Sequence, residues 1–353
     1  QHSLTPPWIE LERVQSLMYT SGTTGKPKGA MITYGNHFYG ATASAFGLGL
    51  DKKDVWFTAM PLFHVGGQAV LMRSLLYGTT ALIHDRFDPV AVLDALEEHG
   101  VTLLSVVSVM LADLLRERGQ TPWPTSVRCI LLGGGPAPEP LLARAAAVGL
   151  AVSQSYGLTE SNSQAVTLLP QDAFRKLGSA GKPLLCTALR IVHDGVEQPA
   201  MEPGEIVLRG PTLVSSYWRR EEATAAAFKD GWLHTGDLGY LDGDGYLYVL
   251  DRRSDLIVSG GENVYPAELE AVLLEHEDVL EAGVTGLPDE RFGQRPVAVV
   301  RLREGAQVSS EQLIGFCRGK LAGYKTPTHI AFASSLPRNA AGKLLRRELG
   351  AWF

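Results

Sequence analysis

Between residues 55 and 155, short apolar runs alternate with longer segments of helical period, and this alternation narrows the fold more than any other feature of the chain. The runs are Val55–Met60, Thr79–Ile83, Leu103–Val107, Val127–Leu132 and Ala151–Ser155. Between them lie Gly66–Tyr77, Pro89–His99 and the Ala-rich Leu141–Val148. Strands separated by helices return to the same edge only by crossover, so the pattern predicts an α/β fold with a largely parallel sheet.

Outside that block the texture differs. Val14–Tyr19 reads as a strand entering a polar loop, and Asn36–Phe46 as a helix. From Ala188 onward the runs shorten to Leu189–Val192, Glu205–Arg209, Gly239–Leu241 and Tyr246–Leu250. His193-Asp194-Gly195 and Asp242-Gly243-Asp244-Gly245 separate them with turn chemistry suited to hairpins. After a charged bend at Asp251-Arg252-Arg253-Ser254-Asp255, helices are predicted over Pro266–Glu275 and Ser310–Leu321, and strands over Val279–Thr285 and Ala298–Leu302. The predicted units are an α/β part over 1–187, a β-rich part over 188–250 and a small α+β domain over 251–353.

A chain of 353 residues, 45% hydrophobic and 20% charged, has material for two or three domains. Its net charge of -6 gives no basic field for nucleic acid or an anionic membrane, so phosphate binding has to come from local geometry. Cys129, Cys186 and Cys317 lie far apart, lack metal-type spacing and cannot all pair, which predicts reduced thiols and a cytoplasmic setting. No run approaches the roughly 18 apolar residues of a membrane span, and no signal peptide is read. Oligomeric state is not readable, and a homodimer stays open.

The densest local signal is Tyr19-Thr20-Ser21-Gly22-Thr23-Thr24-Gly25-Lys26-Pro27-Lys28-Gly29. Glycines let such a backbone turn tightly and aim N–H groups at phosphate oxygens, hydroxyls add donors, and lysines add charge. The spacing excludes a Walker P-loop, because only two residues separate Gly22 from Gly25 and Pro27 follows Lys26.

This stretch resembles the signature of the adenylate-forming superfamily, which includes acyl-CoA synthetases, luciferases and peptide-synthetase adenylation domains. Further motifs of that family follow in order along essentially the whole chain. The resemblance implies a large N-terminal domain and a small mobile α+β lid, with ATP, Mg²⁺ and coenzyme A as ligands. It also implies a hundred or more residues ahead of the phosphate loop that this chain does not carry. Thr20, Ser21, Gly22, Thr23, Thr24, Gly25, Lys26 and Lys28 would hold phosphate. The turn Gly133-Gly134-Gly135-Pro136, on its own only a tight turn, would line the adenine pocket through Gly134, Gly135 and Pro136. In Ser155-Tyr156-Gly157-Leu158-Thr159-Glu160 the aromatic ring would stack on adenine, Thr159 would bind phosphate and Glu160 would hold Mg²⁺. A carboxylate is the oxygen donor such a hard cation takes. Asp237, completed by Arg252, would grip the ribose diol. Asp251 would be the hinge, and Gly260 and Gly261 would border the pantetheine arm of CoA. Lys343 would be the catalytic lysine, although the residues before it are Ala341-Gly342 where the family often has Thr-Gly. His64, in Pro61-Leu62-Phe63-His64, would border the acyl pocket, with a buried structural histidine as the other reading.

Two features bear on the acid. Arg73 interrupts an apolar segment, where a guanidinium needs a partner: solvent, a protein acid or a second substrate carboxylate. The runs Arg128–Pro138, Lys176–Leu184 and Leu336–Ala340 resemble the bacterial 2-succinylbenzoate–CoA ligases of menaquinone biosynthesis, whose substrate is an aromatic diacid. Arg73 would then hold the unreacted carboxylate, with Ser163 and its neighbours Ser161 and Gln164 near it. The competing readings are a synthetase for another aryl or medium-chain acid, and an incomplete chain that binds nucleotide without turnover.

Overall fold

The computed structural model describes residues 8–20, 27–135, 137–252, 255–339 and 342–353. The chain opens with two antiparallel strands, β1 (Val14–Thr20) and β2 (Lys28–Thr33), which set Thr20 opposite Lys28 at the mouth of the phosphate loop. β2 escapes the sequence reading because its start lies inside the Gly/Lys-rich motif. Helix α1 (Tyr34–Leu48) follows without a break, two residues earlier than predicted. Thr33 caps it by accepting the Asn36 N–H at 3.0 Å, and the Asn36 side chain accepts the Thr33 N–H at 2.9 Å.

The alternating block forms β3 (Val55–Thr58), α2 (Val65–Tyr77), β4 (Thr80–Ile83), α3 (Pro89–Glu98), β5 (Leu103–Val106), α4 (Ser108–Arg118), β6 (Cys129–Leu132), α5 (Glu139–Ala147) and β7 (Val152–Tyr156). With β8 (Val166–Thr167) and β9 (Lys182–Pro183) the strands lie in the order β4-β3-β5-β6-β7-β8-β9. The first five are parallel, as the alternation predicts, and the last two antiparallel. Helix α4 was missed because its start, Val107-Ser108-Val109, is β-branched and carries no side-chain cap. Leu104, Ile130, Leu111 and Leu114 are fully buried between sheet and helices. Each such side chain contributes about 1.5–3 kcal/mol of burial.

Strands β10 (Ala188–His193), β11 (Val196–Glu197), β12 (Gly204–Arg209), β13 (Phe228–Lys229), β14 (Trp232–Leu241) and β15 (Leu247–Arg252), with the short helix α6 (Glu221–Ala227), form one antiparallel sheet. Asp194 and Gly195 both take positive φ, 49° and 80°, as a two-residue hairpin turn requires. The expected strand Gly239–Leu241 is only the end of the ten-residue β14, whose earlier part was obscured by Gly236.

The last unit comprises β16 (Ile257–Ser259), β17 (Glu262–Val264), α7 (Pro266–Leu274), β18 (Val279–Asp289), β19 (Gly293–Leu302), α8 (Ser310–Arg318) and β20 (Ile330–Phe332). Its sheet runs β17-β16-β19-β18, with β20 parallel to β19, over a separate core of Val264, Leu269, Leu273, Val284 and Leu313. No helix among the described residues is long and apolar enough to cross a membrane.

Candidate active site

The β1–β2 pair delivers Thr20 and Lys28 to a cluster that the sequence motifs name only in part. The loop residues Ser21, Gly22, Thr23, Thr24, Gly25 and Lys26 lie outside the described residues, as do Pro136 and the side chain of Arg252. Lys28 holds its Nζ 5.2 Å from the centre of the Tyr217 ring, and the Tyr217 hydroxyl donates to Glu160 Oε1 at 2.6 Å. Burial and the Glu160 charge push the Tyr217 phenol well above its ordinary pKa, so it stays a donor. The segment bearing Tyr217 is tied to β2 by Met31 N–H donating to Ser216 O and Trp218 N–H to Gly29 O. Its approach is held by the Asn36 side chain, which donates to Pro211 O and Leu213 O, and by Val214 N–H donating to Glu160 O. Tyr217 carried no sequence signal: its partner is 57 residues away.

Thr159 and Glu160 sit on a short 3₁₀ turn, Thr159–Ser161, that follows Gly157. A Cβ on Gly157 would lie 1.5 Å from the Ser163 carbonyl oxygen, so the chain can reverse here only through glycine. Asn162 and Ser163 complete the reversal at φ 50° and 91°. Ser161 is used internally, bonding to Leu158 and Ser163, and Gln164 donates to Thr167. Ser161 thus spends its hydroxyl within the turn, whereas Gln164 keeps Oε1 without a partner among the described residues. Among the described residues no three His, Cys, Asp or Glu side chains converge on a metal position. Glu160 alone suits Mg²⁺ that arrives on nucleotide phosphates, because that cation is held by one or two carboxylates plus substrate oxygens.

The expected adenine and ribose contacts are joined to one another. Tyr156 is buried and its hydroxyl donates to Asp237 Oδ2 at 2.9 Å. Asp237 lies opposite Arg252 in the β14–β15 register. Ser155 donates to Leu132 O at the end of β6, beside the turn Gly133-Gly134-Gly135, where Gly134 has φ 86° against Val107.

Arg73 lies on α2 and is 3% exposed, which rules out snorkelling to solvent. Its guanidinium lies 5.3 Å from the centre of the Trp56 ring, and no carboxylate pairs with it among the described residues. It packs closely among His37, Gly40, Met72 and Asn162, two residues beyond Glu160, with no water-sized space between them. Burial, with the Arg73 charge, pushes His37 down to about 4. His64 precedes α2 with its ring tilted against Phe63; its Nε2 is buried without a partner among the described residues, and burial holds it below the ordinary histidine value. It is therefore neutral at pH 7 and available to a ligand.

Lys343 comes from the other side of an interdomain cleft of about 580 Å³. The cleft is bounded by Gly133, Gly134 and Gly135 at one wall and by Lys343 and Arg338 at the other. The Lys343 N–H donates to Asn339 Oδ1 at 2.9 Å, Arg338 Nη1 donates to Gly342 O, and Gly342 approaches Val107. Asp251, at the end of β15, is buried and accepts the Ala267 N–H with Oδ2 at 3.0 Å. Gly260 and Gly261 form the tip of the β16–β17 hairpin at φ 63° and 87°, with Gly260 against Phe292, and do not line this cleft.

Comparison with known proteins agrees with this geometry. Residues 2–218 match the AMP-binding enzyme family and residues 268–343 its C-terminal domain. The 2-succinylbenzoate–CoA ligase of Geobacillus kaustophilus is 54% identical over 340 residues, covering 96% of this chain and 69% of the relative. The o-succinylbenzoate CoA synthetase of Bacillus subtilis, solved with its acyl-adenylate intermediate, is 51% identical over 97% of this chain and 70% of that one, with a TM-score of 0.91. With ATP and magnesium ion it gives 0.90. A double mutant of the same enzyme bound with its product analogue gives 0.69 at 50% identity and the same coverage. This chain spans about 70% of the length of these relatives. On this evidence the chain belongs to the AMP-binding enzyme family, the adenylate-forming ligases, with both the large domain and the C-terminal domain of that family.

Proposed function

We propose that this chain converts 2-succinylbenzoate, ATP and coenzyme A to 2-succinylbenzoyl-CoA, AMP and pyrophosphate, in menaquinone biosynthesis. The observation that carries the choice of acid is Arg73. A buried guanidinium without a protein carboxylate is costly, and the second carboxylate of a diacid would relieve that cost through a two-pronged bond.

In the first step one oxygen of the reacting carboxylate bonds to the α-phosphorus of ATP as the bond to the β-phosphate bridging oxygen breaks. The loop between Thr20 and Lys28, with Thr159, would orient the phosphates, and Tyr156 with Asp237 would set the nucleoside. Glu160, oriented by Tyr217, would hold Mg²⁺, which offsets charge on departing pyrophosphate. Lys343 stands across from the glycine turn, where its ammonium would stabilise charge growing at the α-phosphate. His64, neutral, would border the acyl group. In the second step the small domain would turn about Asp251, bringing Gly260 and Gly261 toward the pantetheine arm. The thiol, losing its proton, would then attack the acyl carbon and release AMP. The proposed units are 1–187, 188–250 and 251–353. ATP and CoA as substrates, with three unpaired cysteines, favour the cytoplasm.

Pyrophosphate release and mass-spectrometric detection of acyl-AMP from pure chain test this. 2-Succinylbenzoate should be turned over in preference to benzoate. Arg73→Ala should raise its KM by roughly 10- to 100-fold, the value of a charge-assisted bidentate pair. A better rate on the monoacid would sink the choice of acid. No release with any acid would leave a nucleotide binder.

A further inference from the structure

Lys343 is followed three residues later by Arg346, and what holds Arg346 is a buried ionic cluster that reaches the hinge. Its Nε and Nη2 donate to Glu270 Oε1 and Oε2 at 3.0 and 2.7 Å, a two-pronged pair. Its Nη1 reaches Asp251 Oδ1 at 3.5 Å and Asp255 Oδ2 at 3.4 Å. The Arg346, Glu270 and Asp251 side chains are 12%, 13% and 2% exposed. Glu270, on α7, also accepts the Val284 N–H of β18 at 2.9 Å.

Asp251 occupies two structures at once. Its backbone pairs opposite Leu238 in the sheet of the large domain, whereas its carboxylate takes the first-turn N–H of Ala267 on α7 and faces Arg346. The contacts therefore differ in strength across the joint. The short fork between Arg346 and Glu270 lies wholly within the small domain, and the long contacts of Nη1 span it to the hinge.

We propose that Arg346, set by Glu270, is a positioning residue for adenylation: it fixes the Lys343 loop against the hinge carboxylate and so keeps the lysine facing the glycine turn. This rests on the two-step reading given above. When the small domain turns for the second step, the Arg346–Glu270 fork travels with it and the longer Nη1 contacts to Asp251 and Asp255 yield. Loss of the fork therefore slows the first half-reaction, which needs Lys343 in place, and spares the second, which needs it withdrawn.

The test separates the half-reactions in the full 353-residue chain. Single-turnover acyl-AMP formation is followed from 2-succinylbenzoate and Mg·ATP, and acyl-CoA formation from synthetic acyl-AMP and CoA. Glu270→Gln and Arg346→Lys should each cut the first rate by ~100-fold, the effect of displacing a catalytic group by about 1 Å, with the second within ~2-fold of wild type. Glu270→Asp, which keeps a charged partner, should recover part of the loss. If the core variants do not fold, as judged by their melting transitions, Asp255→Asn decides, because it removes only the outer, partly exposed partner. It should slow the first step by ~3-fold and leave the second and the Tm unchanged. Equal slowing of both steps, or of neither, overturns the proposal while the two-step reading stands. A wild-type chain that makes no acyl-AMP overturns both.

Discussion

His37 and Arg73 are packed close together in the interior, and burial with the Arg73 charge keeps the His37 ring neutral at neutral pH. His37 Nε2–H donates to Gln15 Oε1 at 3.1 Å, which suits the neutral ring. An unfolded chain protonates this histidine near pH 6.5, and the folded chain not until about pH 4. The unfolded state thus binds the extra proton in that window, and stability falls as pH drops through it, by roughly 3 kcal/mol in all. Urea melts from pH 7 to 4 should show this slope in the wild type and its loss in His37→Gln; equal slopes would refute the assignment. Lys343 and Asp237 stand in local motifs and were legible in the sequence as candidates. Tyr217, Glu270 and Arg346 were not, because each acts through a partner far along the chain that only the fold brings near.

Among the elements, the reversal between β7 and β8 depends most on one residue type. Gly157→Ala would drive a methyl into the Ser163 carbonyl oxygen, at 1.5 Å, and displace the turn that carries Thr159 and Glu160. A loss of about 3 kcal/mol or more is expected, with weakened ATP binding by calorimetry. Gly135→Ala, which meets nothing within 4 Å, should leave the urea midpoint nearly unchanged. If the two variants melt alike, the steric account is wrong. Strand–helix alternation made the order of elements from β3 to β7 legible. It failed for β2, where the strand shares residues with the loop motif, and for α4, where a β-branched start mimics a continuing strand.

At the scale of the molecule, the three larger sheets among the described residues were foreseeable from changes in run length, but the closeness of the domains across the cleft was not. A Cβ on Gly342 would meet Val107 Cγ2 at 3.9 Å, an ordinary van der Waals contact, so the two positions are neighbours across the cleft and a cysteine pair there can be tried as a trap. In a Cys186→Ser background, oxidised Val107→Cys/Gly342→Cys chain should accumulate acyl-AMP and form no acyl-CoA, with dithiothreitol restoring transfer. Undiminished transfer in the oxidised chain would mean that no rearrangement separates the steps. The double attachment of Asp251 bears on how such a rearrangement proceeds. With backbone registered in one sheet and carboxylate bonded into the other unit, a partial turn would forfeit the Ala267 and Arg346 contacts before gaining replacements. On the hinge proposal the domains therefore exchange between two discrete populations, and interdomain distances would be bimodal, not smeared over a continuous range.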